Sequence, residues 1–89
     1  MEIRTLRWFQ QVADGATVTE VGEIELVSQP AISRALARLD AEVGAPLLRR
    51  HGRVLRMTAA GSAFKRHVDE VLHRLDDGIA AVAQPVDPE

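Results

Sequence analysis

Two arginines, Arg34 and Arg38, stand four residues apart within "VSQPAISRALARLDAEVG", residues 27–44. Arg50 and Arg53 follow within "LRRHGRVLR". A guanidinium is planar and permanently charged, and its forked N–H donors match a carboxylate, a phosphate or the edge of guanine. The neighbours of the first pair are small or polar: Gln29, Pro30, Ser33, Ala37 and Ala41. An ordinary solvated face would be filled with long Glu and Lys. Two arginines between small residues, with polar groups gathered at one end, make a surface that can approach an anionic partner closely.

Other chemistries lack their residues. There is no cysteine, which excludes disulfides and Cys-based zinc sites. His67 and His73 are six apart, about 600° around a helix, so they point to opposed faces and do not converge on a metal as His51 and they would have to. The carboxylates have no paired nucleophile and no glycine-rich phosphate loop. No enzyme, no cofactor and no metal is expected. The start "MEIRTLRWFQQ" carries charge early and lacks a continuous apolar core, unlike a secretory signal, and no apolar run approaches the ~20 residues of a membrane span. No membrane partner and a cytoplasmic location are therefore expected.

The formal net charge of −2 conceals a segregated field. Residues 1–26 hold two basic and five acidic side chains, residues 27–66 eight basic and two acidic, and residues 67–89 one basic and six acidic. A basic centre lies between acidic ends.

These side chains need elements to position them. Ile3, Leu6, Phe9, Val12 and Ala13 recur at helical spacing, so a first helix is expected over about 3–13, closed by "DGA" at 14–16. Thr17 or Thr19 can cap a short second helix with Val21, Ile24 and Val27 buried. Gly22 inside it costs ~1 kcal/mol relative to alanine. Ser28 is suited to N-cap a third helix, and Pro30 falls in its first turn, where a missing N–H loses no intrahelical bond. Ile32, Leu36, Leu39 and Val43 form its inner stripe, and Gly44 and Pro46 stop it. His51-Gly52 is a turn signal between two short β-favouring pieces of "PLLRRHGRVLRMT", 46–58, a small hairpin with arginines at and beside its tip. Thr58 caps a long helix in which Phe64, Val68, Val71, Leu72, Leu75, Ile79 and Val82 run at three-to-four spacing. One small core cannot cover so long a stripe, so its remainder should pair with another helix.

Helix, turn, helix with a small-and-arginine face, then an arginine-tipped hairpin is a winged helix-turn-helix pattern. An α-helix fits the major groove of B-DNA, and an arginine wing can enter the more negative, narrow minor groove. The rival reading is a helical protein–protein module docking an acidic partner, but such an interface should be richer in large apolar or aromatic anchors.

The run "SQPAISRALARLDAEVGAPLLRR", followed by "RVLRMTAAG", resembles the N-terminal domain of LysR-type transcriptional regulators. The family pattern is roughly L-x-x-F-x-x-V, then S-Q-P-A-[VI]-S-R-x-[IL]-x-x-L-E-x-x-L-G-x-x-L-F-x-R, then L-T-x-A-G. Leu6, Phe9 and Val12 match the first piece, Ser28 through Arg34 with Leu39, Gly44, Leu47 and Arg50 the second, and Thr58, Ala60 and Gly61 the third. The chain departs from the pattern at Val21-Gly22, where Ala-Ala is usual, and at Glu25, where a buried leucine is usual, with Leu26 one place late. Asp40 and Leu48 replace the usual Glu and Phe.

The resemblance implies a mainly α fold: a winged helix-turn-helix of three helices and a small β-hairpin over residues 1–57, then a long linker or dimerisation helix over 58–83. Residues 84–89 would be a tail leading to an effector domain. It implies that a bacterial homodimer binds double-stranded DNA at an interrupted inverted repeat, the helix 28–42 lying in the major groove. Gln29, Pro30, Ser33 and Arg34, with Arg38 further along, would contact bases and phosphates, and Arg53 the minor groove. Ser28 is a cap first and a phosphate contact second. Arg50 could brace the wing through a local ion pair or touch DNA. The linker helix, through Phe64, Val68, Val71, Leu72, Leu75 and Ile79, would pair antiparallel with its mate. A small-molecule effector would bind only in the domain following residue 89.

Overall fold

A computed structural model describes residues 1–84, so the expected tail, from residue 85 on, lies outside the described residues. Its elements are α1 (Ile3–Ala13), α2 (Val18–Glu25), α3 (Gln29–Val43), β1 (Leu48–His51), β2 (Val54–Met57) and α4 (Ala59–Ala83).

The inner face of α1 buries Leu6, Phe9 and Val12 as the periodicity predicts, and also Thr5 and Trp8. The chain turns at Gly15, whose φ of +116° is a backbone state that a side chain rarely adopts. Thr17, not Thr19, caps α2. Its Oγ1 accepts the Glu20 N–H at 3.0 Å, while Glu20 Oε1 accepts the Thr17 N–H at 2.8 Å, a reciprocal capping box.

The expected burial of Ile24 is wrong: it is 67% exposed. The inward stripe of α2 runs through half-buried Val18 and buried Val21 and Gly22, and Ile24 falls beside it. Gly22 is buried there because a Cβ would stand 2.7 Å from the Val27 carbonyl oxygen, so α2 comes close to the chain entering α3 only through a glycine.

Ser28 caps α3 through its Oγ, which accepts the Ala31 N–H at 3.3 Å, with Pro30 in the first turn. Ile32, Leu36 and Leu39 are buried and Val43 half-buried. Gly44 ends the helix in the left-handed region at φ +85°. Asp40 closes the exit: its carbonyl oxygen accepts the N–H groups of Gly44 and Ala45, and its Oδ1 accepts the Leu47 N–H at 3.1 Å.

The strands pair antiparallel, Leu48 opposite Met57 and His51 opposite Val54. The two-residue turn is Gly52-Arg53, one place later than the His51-Gly52 signal. Gly52 has φ +63° and Arg53 is not left-handed, the glycine-first turn that suits a tight hairpin.

Against this, α4 lays Val68 and Leu72, each 2% exposed, into the core, and the Phe64 ring stands 5.8 Å from that of Phe9. Lys65 Nζ reaches Asp14 at 2.9 Å and Asp69 at 2.7 Å, Gln10 donates to Asp69 at 2.9 Å, and Arg7 meets Asp76 at 2.9 Å, tying α4 to α1 and its C-terminal turn. Burying each large core side chain contributes roughly 1.5–3 kcal/mol. Beyond Leu72 the described part of α4 has no buried residue, and the chain stretches to 57 × 27 × 20 Å. No helix among the described residues is long and apolar enough to cross a membrane.

Candidate nucleic-acid interface

The outward side of α3 is what the interface is built on. Because Ile32, Leu36 and Leu39 anchor one side, the residues about 180° away must face solvent. Gln29, Pro30, Ser33, Arg34, Ala37, Arg38 and Ala41 are all exposed. Ser28 is exposed too, but its Oγ already accepts from Ala31, so its capping role is the one the geometry displays.

Two grooves border this face. On the wing side, Gln29 and Ser33 share a groove of about 180 Å³ with Arg50 and Arg53 of the hairpin and with Thr17 and Thr19 at the start of α2. On the α1 side, Arg34 and Arg38 line a groove of about 450 Å³ with Arg4 and Trp8. The expected site residues are therefore not one cluster. They divide between the two flanks of a single helix, with Pro30, Ala37 and Ala41 between. Thr17, Thr19 and Arg4 join them through tertiary structure. Thr17 and Thr19 were legible as candidate helix caps, but nothing local marked proximity to the wing.

The electrostatics follow the same division. Among the described residues the ion pairs engage Arg4, Arg7, Lys65, His73 and the terminal amine. None of Arg34, Arg38, Arg49, Arg50, Arg53 and Arg56 has a carboxylate within ion-pair distance among those residues. The reading of Arg50 as a wing brace through a local ion pair therefore has no partner there. Six uncompensated guanidinium groups on one helix face and one hairpin form a field suited to a polyanion.

The acidic residues of α2 weigh against that field less than their count suggests. Glu20 is engaged in its capping box. Glu25 accepts a long, 3.4 Å hydrogen bond from the indole Nε1 of Trp8, a side chain only 3% exposed. A buried indole N–H needs an acceptor, and the carboxylate at a position where a leucine was the pattern supplies it.

The long-helix residues separate as well. Phe64, Val68 and Leu72 pack in the protomer's own core, whereas Val71, Leu75, Ile79 and Val82 are 50%, 37%, 58% and 79% exposed. The stripe Phe64–Ile79 expected to pair with a mate thus begins inside the monomer and emerges from it.

A family model described as bacterial regulatory helix-turn-helix protein, lysR family, matches residues 3–62. The HTH-type transcriptional regulator BudR of Raoultella terrigena is 42% identical over 64 residues, 72% of this chain and 22% of that protein. The chain thus spans about a fifth of that relative's length. Among solved structures, the DNA-binding domain of CbnR in complex with DNA superposes with a TM-score of 0.78 at 36% identity, over 94% of this chain and all of that one. The BenM DNA-binding domain bound to the benA site 1 DNA superposes with a TM-score of 0.84 at 28% identity, over 97% of this chain and all of that one.

Proposed function

The chain belongs to the lysR family of bacterial regulatory helix-turn-helix proteins, and from that premise we propose that it is the duplex-DNA-reading part of a dimeric transcriptional regulator. The observation that carries the reading is the exposed outer face of α3, flanked by two grooves and by arginines with no carboxylate beside them. The CbnR and BenM domains similar to this chain are bound to DNA, and the same placement serves here. The outer face of α3 enters the major groove. Arg34 and Gln29 offer bidentate and amide donors to base edges, Ser33 and Arg38 reach bases or phosphates beside them, and Pro30 lets the backbone come close. Arg53 at the hairpin tip enters the adjoining minor groove, with Arg50 on the phosphates beside it.

Residues 1–57 form the DNA-reading unit, 58–83 the linker helix, and 84–89 the lead to an effector domain that binds a small molecule. Val71, Leu75 and Ile79 emerge from the protomer on one side of α4 and meet the same residues of a second copy. Two-fold pairing sets two recognition helices facing two half-sites of an interrupted inverted repeat. The named relatives are transcriptional regulators, not enzymes, and a bacterial regulator of this kind works in the cytoplasm, where its DNA is.

Selection from a random duplex pool tests the reading. Enriched sequences should contain two symmetric half-sites at a fixed spacing. A pool that stays random after repeated rounds, with binding insensitive to salt, sinks it.

A further inference from the structure

Resting on the reading of α3 as the groove-entering helix, we infer that Arg4 at the start of α1 is a phosphate-binding residue on the opposite DNA strand from the wing. A helix with its side chains is about 10–12 Å across and the major groove about 12 Å wide, so a helix that fills the groove meets both phosphate walls. The wing-side flank of α3 has its cations in Arg50 and Arg53. The other flank opens into the groove where Arg34 and Arg38 are joined by Arg4.

Arg4 is held ready for this. Its guanidinium carbon lies 5.2 Å from the centroid of the Trp8 ring, a cation–π contact that fixes the side chain on a buried platform. Only its Nε is engaged, with Glu2 at 3.3 Å, and neither terminal nitrogen donates a hydrogen bond among the described residues. The side chain is still 67% exposed. A restrained guanidinium with its fork free matches two phosphate oxygens. Glu2 and Glu42 also line this groove. Glu42 is paired with the terminal amine at 2.7 Å, and Glu2 with Arg4 itself, so the charges left without a partner there are those of Arg34 and Arg38.

The test is a salt series of binding to a fluorescent random-sequence duplex and to a pool-selected duplex. It compares the 89-residue chain with Arg4→Gln, Arg4→Lys and Arg74→Gln. Glutamine keeps an apolar stem over Trp8, lysine keeps the charge, and Arg74→Gln makes the same charge change on the outer part of α4. Far-ultraviolet circular dichroism checks that each variant is folded. Arg4→Gln should bind both duplexes several-fold more weakly, with the slope of log affinity against log salt reduced by about one for each bound protomer. Arg4→Lys should restore most of that slope, and Arg74→Gln should keep the wild-type slope. An unchanged slope for Arg4→Gln, an equal loss in Arg74→Gln, or a loss confined to the selected duplex overturns the inference while leaving the groove reading intact. A wild-type chain that binds neither duplex removes the premise itself.

Discussion

Thr58 donates its hydroxyl to the carbonyl oxygen of Pro46 at 2.7 Å, lashing the first residue before α4 to the last loop before the wing. Its N–H bonds the Leu47 carbonyl at 3.0 Å, and its Oγ1 accepts the Gly61 N–H at 2.9 Å. One threonine thus caps the long helix and staples it to the exit of α3. Leu47 is held from the other side by Asp40 of α3. The helices α3 and α4 are therefore joined through Leu47 and Thr58, and on the proposed reading rigidity at this joint is what would turn dimer geometry into half-site spacing.

Gly61→Ala should break that joint. A Cβ there would overlap the Leu47 carbonyl oxygen, and backbone cannot yield as a flexible side chain can. Overpacking of this kind costs ~1–3 kcal/mol or more. Thermal unfolding should show the loss. Alanine at the exposed Ser62 position is the comparison, with Ser62→Ala expected to stay within roughly 0.5 kcal/mol of wild type.

Arg34→Ala should weaken binding to the selected duplex by ~1–3 kcal/mol and relax base preference at one position in each half-site. Arg34 is exposed and has no ion-pair partner among the described residues, so stability should not change. The check is a comparison of affinities over a set of single-base substitutions. A uniform loss over all of them would make Arg34 a phosphate contact instead.

The parts of this fold that were legible in sequence are those governed by nearest neighbours along the chain. Ser28 with Pro30, and Gly44 with Pro46, mark the ends of α3 because caps and breakers act locally. The amphipathic stripe Ile32–Leu39 could be read because a helix maps spacing onto direction. Ile24 escaped this logic. Two turns of α2 offer too few apolar positions to fix a face, and the inward stripe is set by the close approach of Gly22 to Val27. Glu25, out of place in the local pattern, has its partner in Trp8, seventeen residues away. The division of the site residues between two grooves likewise depends on where α1 and the wing pack, which no local pattern encodes.

Leu26 should be improvable. It is the C-cap of α2, with φ 58° and ψ 45°, the left-handed region in which leucine is disfavoured by ~1–2 kcal/mol, and it is 90% exposed. The strain is not offset by burial. Asparagine tolerates this conformation, so Leu26→Asn should raise stability by up to about 1 kcal/mol, a rise of roughly 4–8 °C in Tm for a domain of this size. Calorimetry on the two proteins decides it, and a lowered Tm would mean that Leu26 makes a contact its exposure does not suggest.

The Lys65 cluster should set the response to pH extremes. Hydrogen bonds from Gln10 and then from Lys65 hold the Asp69 carboxyl below the ordinary 3.8. Its stabilising share is present above that value and disappears as pH falls through the lowered one. The hydrogen bonds to Asp69 and then to Asp14 hold Lys65 above the ordinary 10.5, so its share is present below 10.5 and is lost as pH rises through the raised value. Asp69→Asn should lower Tm near neutrality, and the gap from wild type should close as acid is added below about pH 3.8. A gap independent of pH would assign the effect to packing.

Ile79→Glu should separate dimerisation from folding. Val68 and Leu72 cannot serve that purpose, since each is 2% exposed in the protomer and its loss would open a cavity in the core. Ile79 is 58% exposed and lies past the last residue the core covers, on the same side as Leu75 and Val71 at four-residue spacing. A carboxylate there costs the monomer little, because it meets water. In a two-fold pair it would meet an apolar stripe instead of water. The expected outcome is an unchanged far-ultraviolet spectrum, a shift toward monomer in sedimentation, and loss of the preference for paired over single half-sites. Binding to one half-site should persist, because the outer face of α3 is untouched. If the variant sediments as wild type does, the pairing surface lies elsewhere and the symmetric operator must be explained by another contact.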